Sequence, residues 1–266
     1  MTTGGTLDLQ AAADELGVHY QTAYRWVRAG RLPAHRVDGR YVITRDDLAV
    51  FVVERSSPAT PPVPSQRRLD TASKTMHSAL VDGDEGTARN LARSIIDQGT
   101  PLPELIQKVI VPPLQQIGVD WHDGHLSIWV EHRASAIIDR LLGDITPNPR
   151  GRRRGTAMVA AVAGDRHSLA TSMAAVTLRD NNWEVHHLGA DVPADEIVAF
   201  CESTRLDIAV ITLTNPDSTA SAHATADRLR KLGVQTIVGA PGTTLDDLLD
   251  AASAALADSR TSASAN

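Results

Sequence analysis

Apolar residues along the 266-residue chain repeat with two different periods. Over residues 67–145 they return every three or four positions, as in Leu91, Ile95 and Ile96 and again in Leu105, Ile106, Val109 and Ile110. That is the stripe of an amphipathic helix with one face in a core. The pattern predicts four helices, over 69–81, 87–98, 102–118 and 126–142, enough for a bundle. Pro112 and Pro113 fall inside the third, where they remove backbone donors and should bend it, opening the bundle on one side. Beyond residue 155 the period changes. Residues 156–163 are a continuous run of small and apolar side chains suited to a buried parallel strand. Further alternations place strands at 184–188, 208–213 and 235–238, with helical stretches between and after them, among them 168–180 and 244–256. Strands alternating with helices predict a doubly wound α/β sheet. No clear fifth strand precedes the last helix, so one edge of that sheet is expected to be missing.

The first 55 residues follow a third pattern. Residues 8–16 and 20–29 read as two short helices joined by a turn at Gly17-Val18, a helix-turn-helix. In the second helix Ala23, Trp26 and Val27 share one face, which turns Gln21, Thr22, Arg25 and Arg28 outward. Those side chains suit base edges and phosphates. Arg36-Val37 and Tyr41-Val42 flank Asp38-Gly39, a dipeptide that accepts the positive φ of a tight hairpin, so a small wing is expected with Arg36 and Arg40 on it. Thr44, three residues before Asp47, can cap a further helix.

Composition and charge restrict this picture. The formal net charge of −6 argues against a protein that coats nucleic acid non-specifically. Contact with double-stranded DNA must therefore be local, and Arg25, Arg28, Arg31, Arg36, Arg40 and Arg45 concentrate positive charge where the helix-turn-helix lies. A lone cysteine, Cys201, excludes an internal disulfide framework and sits where packing is its expected role. No apolar run approaches the roughly 18 residues of a membrane span. With no signal-peptide pattern at the N-terminus, a cytoplasmic protein is expected. Two breaks divide the chain. Residues 56–66 hold four prolines and no charge, a semi-rigid spacer, and residues 146–155 interrupt the periodicity with proline, glycine and three consecutive arginines. The expected organisation is a winged helix-turn-helix at 1–55, a spacer at 56–66 and a helical bundle at 67–146. A second linker at 147–155, a Rossmann-like domain at 156–258 and a frayed, disordered tail at 259–266 complete it.

Two constellations carry candidate chemistry. Trp121-His122 is followed, after nine residues counted from Trp121, by Glu131-His132; the first pair belongs near a turn and the second on the next helix, so both can face one pocket. In the α/β part, the first strand runs into Asp165-Arg166-His167. Ligands of such sheets bind beyond the carboxyl ends of the strands, where this loop lies. An imidazole is a good ligand for a transition metal, and a carboxylate two residues away can hold its tautomer and raise its basicity.

The head, through LDLQAAADELGV, TAYRWVRAGRLPAHRV and GRYVITRDDL, resembles the excisionase and MerR-type winged helix-turn-helix heads. The remainder, through the Trp121 to Glu131-His132 spacing and the Asp165-x-His167 loop, resembles the B12-dependent photoreceptor repressors of the CarH type. The resemblance implies a cobalamin-binding sensor for adenosylcobalamin, with Trp121, Glu131 and His132 over the upper face of the corrin. It implies His167 as lower cobalt ligand and His122 as upper cobalt ligand after light has broken the cobalt–carbon bond. It also implies a repressor that binds its operator in the dark, as a homo-oligomer, dimer or tetramer, controlled by the cofactor. Three positions depart from the family. Ala170 replaces the glycine of the loop motif, Thr212-Leu213-Thr214 stands nearest its Ser-x-Leu, and Gly239-Ala240 stands nearest its paired glycines. Each added methyl narrows the pocket for the nucleotide tail. Two other readings share these residues: a corrinoid carrier for methyl transfer, which would need no helix-turn-helix, and a regulator whose sensor reads another ligand. No nucleophile with its base, metal triad or phosphate loop is apparent, so no catalytic turnover is expected.

Overall fold

The computed structural model describes residues 5–18, 20–28, 32–37, 39–56, 66–145, 153–239 and 242–264. Asp38, Ala240, most of the proline-rich spacer and most of the second break lie outside them. The chain divides into two compact units, Met1–Ser65 with Asp97–Thr100, and Gln66–Ile96 with Pro101–Asn266.

In the first unit, strand β1 (Thr6–Asp8) leads into α1 (Leu9–Glu15), which Asp8 caps by accepting from the Ala11 N–H at 2.7 Å. Helix α2 (Tyr20–Arg28), the hairpin β2 (His35–Val37) and β3 (Arg40–Thr44), and α3 (Arg45–Ser56) follow. The expected wing forms, and β1 adds a third strand, antiparallel to β3 with Leu7 opposite Ile43. Three residues are too short for a strand signal in the sequence. The expected cap at Thr44 is present: its Oγ1 accepts from the Asp47 N–H at 3.0 Å and donates to the Asp47 carboxylate at 2.6 Å. Such a cap contributes about 1 kcal/mol. The core comprises Leu9, Ala12, Ala13, Ala23, Leu32, Ile43, Leu48 and Phe51, with Trp26 tilted onto Phe51 at a ring distance of 5.1 Å.

The second unit opens with α4 (Gln66–Asp82) and α5 (Glu85–Asp97). The third predicted helix is three segments: α6 (Leu102–Leu105), a π-helical turn (Ile106–Ile110) and α7 (Val111–His122). The prolines occupy the first turn of α7, where missing N–H groups cost no helical bond, and the wide turn before them is closed by the Val111 N–H reaching Ile106 O. Helix α8 (Ile128–Ile145) completes the bundle.

Strand β4 (Thr156–Val162) is buried from Ala157 onward. Helix α9 (Ser168–Asp180), β5 (Glu184–Val192), α10 (Ala194–Ser203), β6 (Ile208–Thr212), α11 (Thr219–Lys231), β7 (Gln235–Val238) and α12 (Leu245–Ser264) follow. The described strands make a parallel sheet in the order β5-β4-β6-β7. No fifth strand occurs among the described residues. Helices α9 and α12 cover one face, against Ala157, Val159, Ile208 and Val210; α10 and α11 cover the other, where Cys201 is buried in the core as expected.

Three boundaries differ from the sequence reading. Strand β5 runs on to Val192 because bulges absorb Gly189 and Asp191, both at positive φ, where a simple alternation pattern stops. Helix α12 continues to Ser264, so the tail at 259–266 is helical through most of its length; alanine, the strongest helix former, helps propagate a helix already nucleated upstream. The third difference is that Met173 and Val176 of α9 belong to the bundle core, so bundle and sheet share apolar packing. Among the described residues no helix is long and apolar enough to cross a membrane.

Candidate functional site

Strand β4 has β5 on one side and β6 on the other, so the crevice beyond its carboxyl end is the switch point of the sheet. The chain leaves β4 through Gly164, at φ +91, and enters α9 at His167. Between them Asp165 is fully buried. Its Oδ2 accepts from the backbone N–H groups of Thr214 at 2.6 Å and Asn215 at 3.1 Å. Its Oδ1 accepts from the His167 N–H at 3.2 Å and lies 2.8 Å from His167 Nδ1. Burial pushes this carboxyl up, but the hydrogen bonds from Thr214, Asn215 and His167 outweigh it and hold the group below the usual carboxylate range.

This geometry decides what His167 can do. An ionised carboxylate can only accept, so the neutral ring carries its proton on Nδ1 and leaves its lone pair on Nε2. The His167 side chain is 57% exposed, so that lone pair is accessible. A ring oriented by a carboxylate with its other nitrogen accessible is what would hold a cobalt ion. The donor set thus fits a corrinoid.

Of the other predicted pocket positions in the α/β part, Thr212, Thr214 and Gly239 stand at or just beyond the carboxyl ends of β6 and β7, and Ala170 stands near the start of α9. Thr212 ends β6, with Oγ1 donating to Ala160 O at 3.5 Å, and Thr214 contributes its backbone N–H to Asp165. Gly239 donates its N–H to Ile211 O at 2.8 Å, and a β-carbon there would meet backbone atoms of Ile211, Thr212 and Leu213 at an ordinary 3.7 Å. Ala170 lies in the first turn of α9, its N–H 3.3 Å from His167 O. Ala240 lies outside the described residues.

Two residues of the loop went unnoticed in the sequence. Asp191, in β5, accepts from the Gly164 N–H at 2.7 Å and donates its own N–H to Asp165 O at 2.9 Å. Asn215 also donates from its side chain to Gly164 O at 3.0 Å. The signal for Asn215 was the Asn-Pro dipeptide, a turn initiator. Gly189, which ended the predicted strand, concealed Asp191.

On the bundle side, Trp121 and His122 form the C-terminal end of α7, as expected, and Trp121 is 43% exposed. Glu131 stands in the first turn of α8, where Ser135 Oγ donates to Oε1 at 2.9 Å and His132 Nδ1 lies 2.5 Å from Oε2. His132 is seven residues, close to two turns, before Asp139, which accepts from Ser172 Oγ of α9 at 3.1 Å. The His132 stripe of α8 therefore faces the side on which α9 lies. The structure joins Glu131 with His132, and Asp165 with His167 and Thr214. Among the described residues no hydrogen bond, ion pair or ring contact links these two groups, or links either to Trp121 or His122.

On the head, Ala23 is buried and Trp26 and Val27 pack half-buried on the core, while Gln21 and Arg28 are exposed; Thr22 and Arg25, expected outward, are half-buried. On the wing, Arg36 lies over the Tyr41 ring at 5.4 Å, and Arg40 is exposed.

Comparison with known proteins agrees with both parts. Residues 6–56 match the helix-turn-helix domain family, and residues 72–144 and 155–261 match two models described as B12 binding domains. A corrinoid protein of Desulfitobacterium hafniense is 22% identical over 139 residues, 50% of this chain and 64% of its own length. Trimethylamine corrinoid protein 1 of Methanosarcina acetivorans is 24% identical over 63% of this chain and 82% of its own. The HTH-type transcriptional repressor CarA of Myxococcus xanthus is 31% identical over 38% of this chain and 34% of its own. The solved structure of the Methanosarcina barkeri monomethylamine corrinoid protein superposes with a TM-score of 0.52 at 17% identity, covering 65% of this chain and 86% of that one. The chain spans less than two thirds of the first and third of these relatives. The chain thus joins a segment that matches the helix-turn-helix domain family to two segments that match B12 binding domains.

Proposed function

We propose that this protein is a cobalamin-dependent transcriptional regulator that senses light, binding its operator as a repressor in the dark and releasing it when illuminated. The observation that carries the cobalamin part is the His167 ring, held by buried Asp165 with Nε2 exposed, in a chain that also bears a DNA-reading head. Adenosylcobalamin supplies a cobalt–carbon bond that visible light breaks. The protein's own groups do the rest. His167 holds the lower face, and Trp121, Glu131 and His132 cover the upper one. His122, next to Trp121 and exposed, is the residue we assign to the upper cobalt position after light. Gln21, Thr22, Arg25 and Arg28 read the operator with Arg36 and Arg40 on flanking phosphate. A dimer or tetramer matches the paired half-sites that such heads use.

The second reading, a carrier of methyl groups, is favoured by the names of the corrinoid relatives and disfavoured by the head. One experiment separates the readings. The purified chain is loaded with adenosylcobalamin in darkness, and its absorption and operator binding are recorded before and after green light. The regulator reading expects a stable photoproduct and loss of DNA binding. Unchanged DNA affinity after complete photolysis would exclude it, and failure to retain any corrinoid would point to a sensor for another ligand.

A further inference from the structure

The Asp165–His167 pair explains the orientation of the histidine ring but not what holds the loop that carries it. The three consecutive residues before His167 all make contact with one residue of β5. Asp191 Oδ1 accepts from the Gly164 N–H at 2.7 Å, its own N–H donates to Asp165 O at 2.9 Å, and Oδ2 faces Arg166 Nε at 3.4 Å. To do this Asp191 adopts φ +57, a left-handed conformation that costs most side chains energy and that aspartate and asparagine tolerate best. It sits in the irregular stretch of β5, where the register against β4 shifts between Ala160 and Val162. A bulge of this kind re-aims a side chain beside a functional site. The Arg166 partner is highly exposed and solvent-screened, so the Gly164 bond is the part that fixes geometry.

We infer that Asp191 is a positioning residue for the cobalt ligand: it latches the Gly164–Arg166 turn to β5 and thereby sets where His167 Nε2 presents its lone pair. The inference rests on the reading of His167 as lower ligand. It goes beyond that reading in making ligation depend on a strand end that never touches the metal.

Three substitutions in the full chain separate the contributions. Asp191→Asn keeps an oxygen acceptor and tolerates the left-handed backbone. Asp191→Gly tolerates the backbone and removes the acceptor. His167→Ala removes the ligand. The first readout needs no cofactor: amide exchange at Gly164 in the apo chain should quicken about tenfold in Asp191→Gly and stay near wild type in Asp191→Asn. The second uses uniformly 15N-labelled protein loaded with cob(II)alamin, where a protein nitrogen on cobalt splits the electron spin resonance lines into doublets and the cofactor's own 14N base into triplets. Wild type and Asp191→Asn should give doublets. Asp191→Gly should lose them and bind cob(II)alamin about tenfold more weakly, a typical effect of removing support from a metal ligand. Doublets and unchanged affinity in Asp191→Gly would overturn the inference while leaving His167 as ligand. Wild-type spectra without doublets, equal to those of His167→Ala, would overturn the ligand reading and the inference with it.

Discussion

His167 Nδ1 stands 2.8 Å from Oδ1 of Asp165, a carboxylate with 1% of its side chain exposed. The same carboxylate gathers the loops after β4 and β6, so it is a structural centre as well as a tether for the ring. Replacing it with alanine leaves the N–H groups of Thr214, Asn215 and His167 without their acceptor. The expected cost is about 1–3 kcal/mol, the penalty for an unsatisfied buried group, somewhat reduced where water can enter. Urea unfolding of cofactor-free Asp165→Ala measures it, and Asp165→Asn, which retains one oxygen, should fall between. A variant as stable as wild type would mean that the loops hold together without the carboxylate.

The head offers a second prediction. Trp26 packs on Phe51 and Ala23 is buried, which fixes the outward face of α2. Arg25→Ala or Arg28→Ala should weaken operator binding by about 1–3 kcal/mol where the arginine reads a base, and reduce discrimination at that base. A phosphate contact would instead weaken all sequences alike and flatten the salt dependence. Titration against operator and scrambled duplexes at several salt concentrations distinguishes these, and an unchanged double variant would show that α2 is not the reading helix.

Much of the arrangement was legible because it rests on local signals. The unbroken apolar run of β4, the Thr44 to Asp47 spacing and the helix of residues 168–180 each express one period or one cap, and each stands where expected. What escaped depended on contacts distant in sequence. Asp191 lies 27 residues from the Gly164 amide it accepts from, and no periodicity relates them. The π-helical turn escaped for a similar reason. Prolines announce a break in hydrogen bonding, but whether it appears as a bend or as a wider turn depends on how α4 packs against the segment, since side chains of both enter one core. The shared packing of Met173 and Val176 with the bundle likewise looked, in sequence, like the buried face of a helix in its own domain.

Electrostatics of the bundle supply a third prediction. Glu85 accepts from Arg140, with its shortest contact 2.6 Å from Nη2, and from Arg89 Nη2 at 2.8 Å. The hydrogen bonds from Arg140 and then Arg89 hold its carboxyl at about 2, against an ordinary value of 4.5. A carboxyl depressed by folding stabilises the fold above its ordinary value and loses that contribution as pH falls from about 4.5 towards 2. Glu85→Gln should therefore flatten the acid limb of a stability-against-pH curve over that window and change little below it. Wild-type and variant curves that run parallel from neutral pH to pH 2 would remove Glu85 from any role in acid sensitivity.

The last prediction joins the proposed switch to the packing. His122 is the final residue of α7, whereas α9, which begins beside His167, contributes Met173 and Val176 to the bundle core and Ser172 to Asp139 of α8. Under the proposed function His122 would have to reach the face opposite the His167 loop, and we expect the end of α7 to move relative to α9 when it does. Close-packed side chains do not stretch continuously; such a movement must break and remake contacts. Under the proposed function, light should therefore speed amide exchange in α8 and α9 around Asp139 and Met173. His122→Ala should still take up adenosylcobalamin in darkness and lose the adenosyl group in light, because neither step uses that ring. It should fail to form the bis-histidine photoproduct, and exchange in α8 and α9 should stay near its dark level. The two readouts are independent, one optical and one structural. A His122→Ala chain with the wild-type illuminated spectrum would rule out this histidine as the upper ligand. The altered spectrum together with a full wild-type exchange response would place the trigger in loss of the adenosyl group itself.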